Sequence, residues 1–174
     1  DNVATVAETI QQALKNAVYA LLTEDQGLAY SVVLGDLAVN RAIRDIDRRC
    51  HAFVAHHLPS AGHLRRISSV LRLEIELERI GDYAASIARE AVQLSRTPPD
   101  RVGREIDLMA DQVGKILQNA IKSFLDGDPE LARTTKNAAH KVERTYESTF
   151  NDLLDEGKKS ARPLRDLFAL LIVF

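Results

Sequence analysis

Glu74, Glu78 and Asp82 follow one another at four-residue intervals, which a helix would set one turn apart. Exposed like charges at that spacing repel by a few tenths of a kcal/mol. These three do not share a face with Arg65, Arg72, Arg79 and Glu90. At about 100° per residue they fall among Ile67, Leu71, Ile75, Gly81 and Ala85, on the flank of an apolar stripe. Desolvation there adds to the repulsion. Such a row requires a cation, either arginine from a neighbouring helix or a metal ion.

A facing segment makes a similar departure. The apolar seam Val32, Val39, Ile43, Ile46, Cys50, Phe53 is interrupted by Asp36, with Asn40 one turn on. A carboxylate in a seam needs a partner. If the two segments form an antiparallel pair about the turn at Pro59-Ser60-Ala61-Gly62, Asp36 and Asp82 fall at similar height. Asp36, Asn40, Glu78 and Asp82 could then converge on hard cations, with Glu74 a weaker candidate. All-oxygen ligation suits magnesium, manganese or iron, and zinc also accepts carboxylates. The competing reading is a salt-bridge network with Arg41, Arg44 or Arg79.

Other chemistry is thinner. His51, His56, His57 and His63 cluster at the turn, where solvated helix ends account for them. No Glu-x-x-His occurs, so a ferritin-like di-iron site lacks its signature. Cys50 reads as a small core residue, and as the single cysteine it excludes an internal disulfide. Residues 41–66 carry six arginines against Asp45 and Asp47, a solvated corner or a docking patch for an acidic surface. Phosphate loops, Walker patterns and nucleophile elbows are absent from the sequence.

The elements that must position these residues are helices. Apolar residues recur at helical spacing from about Val3 to Leu22, Asp25 to His57, and His63 to Leu94. Thr97-Pro98-Pro99-Asp100 reads as a stop followed by a cap. A fourth helix carries Val102 to Phe124, and Asp126-Gly127-Asp128-Pro129 ends it and caps a fifth that runs to about Glu156, before Gly157. Pro163 opens a sixth, still apolar at Phe174.

An internal repeat organises them. Leu14-Lys15-Asn16-Ala17-Val18 matches Leu117-Gln118-Asn119-Ala120-Ile121, and Asp25, Leu28 and Ala29 match Asp128, Leu131 and Ala132, at a constant offset of 103. The expected fold is all-α: two tandem three-helix bundles, residues 1–95 and 100–174, joined at 96–99, with the second bundle truncated in its last helix. At that offset Asp36 becomes Ala139 and Asn40 becomes Glu143, a weaker metal candidate.

Composition agrees. Apolar residues make up 45%, Gly and Pro number 8 and 5, and aromatics only 5%, so sheet-forming and turn residues are scarce. With 23 Lys+Arg against 25 Asp+Glu, the chain has no excess for neutralising nucleic-acid phosphates. No apolar run reaches the roughly 18 residues of a membrane span. Asp1-Asn2-Val3 shows no leader pattern, and both ends read as trimmed.

Leu77-Glu78-Arg79-Ile80-Gly81-Asp82-Tyr83-Ala84 resembles the Leu-Glu-Arg-Ile-Gly-Asp-His-Ala motif of PhoU-family phosphate-signalling proteins, and the resemblance continues through Ile87-Ala88-Arg89-Glu90-Ala91. Asp36-Leu37-Ala38-Val39-Asn40 resembles that family's second-helix acidic motif. Tyr83 stands where the family often has histidine. The resemblance implies multinuclear metal sites, one per repeat, and a cytoplasmic regulator rather than an enzyme. It implies work with a phosphate ABC transporter ATPase and a sensor histidine kinase, with membrane contact only through them. A homodimer is expected as well. The rivals are a cytosolic PhoU-like domain of, or accessory to, a sodium/phosphate or other phosphate transporter, and a metal-dependent enzyme on a helical bundle.

Overall fold

The structure, a computed structural model, describes residues 2–94, 97–159, 166, 169 and 170. Five long helices follow in order: α1 (Asn2–Thr23), α2 (Gln26–His56), α3 (Ala61–Gln93), α4 (Asp100–Asp126) and α5 (Pro129–Lys159). Among the described residues there is no strand.

Local chemistry sets most of the ends. Asp25 caps α2 by accepting from the Leu28 N–H at 2.9 Å. Ser60 caps α3, and Asp128 accepts from the amides of Glu130 and Leu131 at the start of α5. Gly127 ends α4 in the left-handed region at φ 66, which glycine adopts without a β-carbon clash. Two expectations need correction. Asp100 is the first residue of α4 rather than its cap; Pro99 holds the cap position and offers no side-chain acceptor. Gly157 does not stop α5, which runs on to Lys159. The expected sixth helix lies mostly outside the described residues, although Asp166, Ala169 and Leu170 are helical and buried.

α3 packs against both α1 and α2, and α4 packs against α1 and α5. Because α3 faces two neighbours, it buries two stripes. Leu77, Ala84, Ile87 and Ala91 form one, and Glu74, Gly81, Ala85 and Ala88 the other. The alanines and glycine let helix axes approach closely where Ile10 of α1, Val39 of α2 and Gly81 of α3 meet. Ile10, Leu21 and Leu77 are almost wholly withdrawn from water. Burying each such side chain contributes roughly 1.5–3 kcal/mol.

α1 and α4 run antiparallel. Gln11 Nε2 donates to the Gly114 carbonyl at 3.1 Å, and Leu22 lies 3.4 Å from where a β-carbon on Gly103 would sit. Residue numbers rise on one helix as they fall on the other. Gln11 and Gly114 are also separated by the repeat offset of 103, so the contact joins a residue to its own counterpart. A local two-fold relation between repeats produces that kind of contact.

Candidate functional site

The α2–α3 pair carries every acid singled out above except Glu143. Its antiparallel register sets Asp36 against Gly81: Asp36 Oδ1 lies 3.8 Å from where a Gly81 β-carbon would be. Asn40 Nδ2 donates to Asp36 Oδ2 at 3.1 Å. The second oxygen of each side chain, Asp36 Oδ1 and Asn40 Oδ1, is buried without a hydrogen-bond partner. That is an unusual condition for buried polar atoms.

Glu74, Glu78 and Asp82 do not share one environment. Glu74 is buried, with 6% of its surface exposed, while Glu78 and Asp82 are exposed. The cause is helix geometry. Four residues advance about 400°, so each step overshoots a full turn by about 40° and a row of three drifts about 80°. The row therefore starts inside the α2–α3 contact and ends in solvent.

Asp47 of α2 meets Glu74 inside. Burial first, then the Asp47 charge and a hydrogen bond to Asp47, push the Glu74 carboxyl up to about 7 from 4.5, with Glu78 adding to the rise and His51 opposing it. Like Asp36 Oδ1 and Asn40 Oδ1, Glu74 Oε2 is buried without a hydrogen-bond partner. His51 Nδ1 lies 3.3 Å from Asp47 Oδ1 on the solvent side. Asp47 was not singled out from the sequence. The signal was there: Asp36, Asn40, Ile43 and Asp47 alternate at four, three and four residues, which is one helix face. Burial, with Glu74 and Asp47 nearby, also raises the Cys50 thiol.

Neither expected partner for the acids is assembled. Among the described residues no three His, Cys, Asp or Glu side chains are placed to hold one metal ion. Arg79 pairs instead with Glu76 at 3.0 Å, and no ion pair among the described residues reaches Asp36, Glu78 or Asp82. The donors thus fall into an inner pair, Asp36 and Asn40, and an outer pair, Glu78 and Asp82. Glu143 stands exposed on α5 with its Oε2 3.1 Å from His140 Nδ1.

Of the inner pair, Asp36 borders a groove of about 440 Å³ between α1 and α2. Glu8, Thr9 and Gln12 line it from α1, Ser31 and Asp36 from α2, and Gly81 of α3 forms part of its lining. Neither Glu78 nor Asp82 borders it. At the far end of the pair the histidines serve the turn: His57 stacks on Phe53 at 4.6 Å between ring centres, and His63 Nδ1 lies 3.1 Å from Ser60 Oγ. Arg48 and Arg49 both reach Asp45, which removes them from the unpaired basic corner.

No described helix is long and apolar enough to cross a membrane. The PhoU domain family model matches residues 3–91 and 106–173. The phosphate-specific transport system accessory protein PhoU homolog of Pseudomonas aeruginosa is 32% identical over 166 residues, covering 92% of this chain and 69% of that protein. The homolog of Aquifex aeolicus is 30% identical over 154 residues, covering 88% of this chain and 70% of that protein. The crystal structure of PhoU from Pseudomonas aeruginosa matches with a TM-score of 0.92 at 29% identity, over 99% of this chain and 83% of that one. The phosphate transport system regulatory protein PhoU from Streptococcus pneumoniae shares the fold, with a TM-score of 0.89 at 19% identity over 99% of this chain and 81% of that one. The acidic motifs on α2 and α3, the all-helical architecture and a family match across both parts of the sequence lead to one assignment: the chain belongs to the PhoU domain family.

Proposed function

We propose that this protein is a cytoplasmic regulator of phosphate uptake and phosphate-starvation signalling that acts by binding other proteins rather than by catalysis. The observation that carries this reading is the family match through both parts of the chain, joined to relatives whose own names describe accessory proteins of phosphate-specific transport. Its partners on this reading are the ATPase of a phosphate ABC transporter, a sensor histidine kinase and a second copy of the chain. The division into repeats at 1–95 and 100–174 belongs to the same reading and is supported by the Gln11–Gly114 contact.

Metal binding is assigned here to the outer pair. Glu78 and Asp82 are one turn apart and exposed, and neither has an ion-pair partner among the described residues. A magnesium, manganese, iron or zinc ion would supply positive charge to two like-charged groups. With two carboxylates and, among the described residues, no third His, Cys, Asp or Glu placed with them, this is a weak, water-rich kind of site.

Expression in a bacterium lacking its own PhoU, with alkaline phosphatase as reporter, tests the regulatory reading. Restored repression at high phosphate, together with capture of the transporter ATPase or the kinase, is expected. Full derepression by a stably expressed protein that captures neither would end it.

A further inference from the structure

We propose that the tip of the α2–α3 hairpin docks on an anionic lipid bilayer, with Leu58 seated in the interface and Arg65 and Arg66 against lipid phosphates. The hairpin stands free there. From His51 to Arg66 every residue is exposed except Pro59, which is half-buried. Leu58, at the turn itself, is fully exposed, and Phe53, Val54 and Leu64 are exposed around it. Apolar side chains gathered in water at one apex gain from any contact that removes them from it.

The charge of the same stretch is one-sided. From Arg48 to Leu73 the sequence holds five arginines and four histidines and not one aspartate or glutamate, in a chain whose formal net charge is -2. Arg48 and Arg49 are held by Asp45, but Arg65, Arg66 and Arg72 form no ion pair among the described residues. Free cations beside exposed apolar side chains, with no acid between them, complement a leaflet that is negative at its surface and apolar just beneath.

Geometry favours a bilayer over an acidic protein. Local contacts hold the turn in order: Ser60 caps α3, His57 Nδ1 lies 3.1 Å from the Phe53 carbonyl oxygen, and His63 meets the Phe53 ring edge-on at 6.2 Å between ring centres. A globular partner pairs with a face, whereas two helix ends meeting at a turn offer a point, which a fluid interface accommodates. Arg65 and Arg66 stand about 6–8 Å along the axis from Ala61, the first residue of α3. Interfacial apolar groups sink to about that depth, so the two guanidinium groups would lie at the phosphates when Leu58 is inserted. Arginine meets a phosphate with several N–H donors at once. This contact is made with lipid directly and does not rest on the protein partners proposed above.

The test is flotation of the purified chain with vesicles of phosphatidylcholine alone or mixed with phosphatidylglycerol, at low and high salt. Binding to the mixed vesicles at low salt is expected, with loss at high salt and none to phosphatidylcholine alone. Arg65→Gln/Arg66→Gln should weaken binding about tenfold or more, and Leu58→Ser several-fold, with helix content unchanged because all three positions are exposed. Lys15→Gln/Lys115→Gln, which removes the same charge from well inside α1 and α4, should bind as the parent does. The chain has no tryptophan, so Leu58→Trp provides a single probe whose emission should shift to the blue with mixed vesicles. The proposal is overturned by equal binding to both kinds of vesicle, by undiminished binding in either tip variant, by an equal loss in the Lys15/Lys115 variant, or by an unshifted Leu58→Trp emission. A parent chain that floats with neither vesicle at low salt also overturns it and leaves these arginines to an acidic protein surface.

Discussion

Glu74 and Asp36 are both carboxylates carried into the α2–α3 contact, but Glu74 meets a second acid there and Asp36 meets a groove. Burial and the neighbouring Asp47 push the Glu74 carboxyl up to about 7, and its Oε2 stays buried and unpartnered. Asp36 likewise keeps Oδ1 buried and unpartnered, but it borders the α1–α2 groove instead of a second acid. The same carboxylate group in the same helix pair therefore meets two environments. Where the neighbour is a fixed carboxylate, burial sets a protonation state. Where the neighbour is a groove bordered by a glycine, burial leaves an acceptor without a donor.

The largest expected effect tests the Glu74 half of that contrast. Its carboxyl titrates near 7 in the folded chain against 4.5 ordinarily, so the native state holds the proton more tightly than the unfolded state. Stability should be highest near and below pH 4.5 as far as this group is concerned, and fall as pH rises towards 7, by roughly 3 kcal/mol in all. Asp47, Glu78 and His51 face the group, the two acids raising its carboxyl and His51 opposing them. Glu74→Gln keeps the donor to Asp47 and removes the titration. Urea unfolding at pH 5 and pH 8 should show a gain of comparable size at pH 8 and a flattened profile. An unchanged slope between the two pH values would mean that Glu74 is solvated and the contrast with Asp36 is empty.

Asp36→Asn should move stability in the same direction by a smaller amount. The new amide can donate to the unpartnered Asn40 Oδ1 while its oxygen still accepts from Asn40 Nδ2. Relieving one buried unsatisfied acceptor contributes on the order of 1 kcal/mol. A loss of stability instead would mean that Asp36 is satisfied within the fold, which would remove the difference between the two acids.

Gly81→Ala should stabilise by about 0.5–1 kcal/mol, the cost of glycine in a helix interior, since the added methyl meets no contact shorter than 3.6 Å. Thermal unfolding reads this directly. A destabilised variant would show that Ile10, Val39 and Gly81 pack more tightly than those separations allow, and that the groove floor is closed.

Much of this arrangement was legible in the sequence. The helix ends at Asp25, Ser60, Gly127 and Asp128 follow from capping chemistry, which is local and carried by single residue types. The placement of Asp36 beside Gly81 follows from counting residues on either side of one turn. The fate of the acidic row was not legible at the same level. A four-residue interval suggests one face, but the small overshoot per step accumulates. Which end of the row is buried depends on where α2 lies around α3, a tertiary fact. Asp47 was missed because it occupies no apolar gap as conspicuous as that at Asp36, and its significance comes only from Glu74 across the interface. The groove was not legible either, since it depends on the spacing of α1 from α2.

The smallest effect belongs to the outer pair. Glu78 and Asp82 are exposed and repel across one helical turn, so without metal the Glu78→Ala/Asp82→Ala double change should raise stability by only a few tenths of a kcal/mol, with part of the gain from alanine's helix propensity. Divalent ions at millimolar concentration should raise the melting temperature of the parent chain slightly and leave that of the double variant unchanged, because an ion that binds only the native state stabilises it in proportion to site occupancy. The same ions should not restore stability lost to deprotonation of Glu74 at pH 8, which lies inside the helix contact with its own acid partner. If divalent ions stabilise the Glu74→Gln variant less than the parent while acting equally on parent and outer double variant, the metal belongs with Glu74 and Asp47, and the division into inner and outer acids must be redrawn.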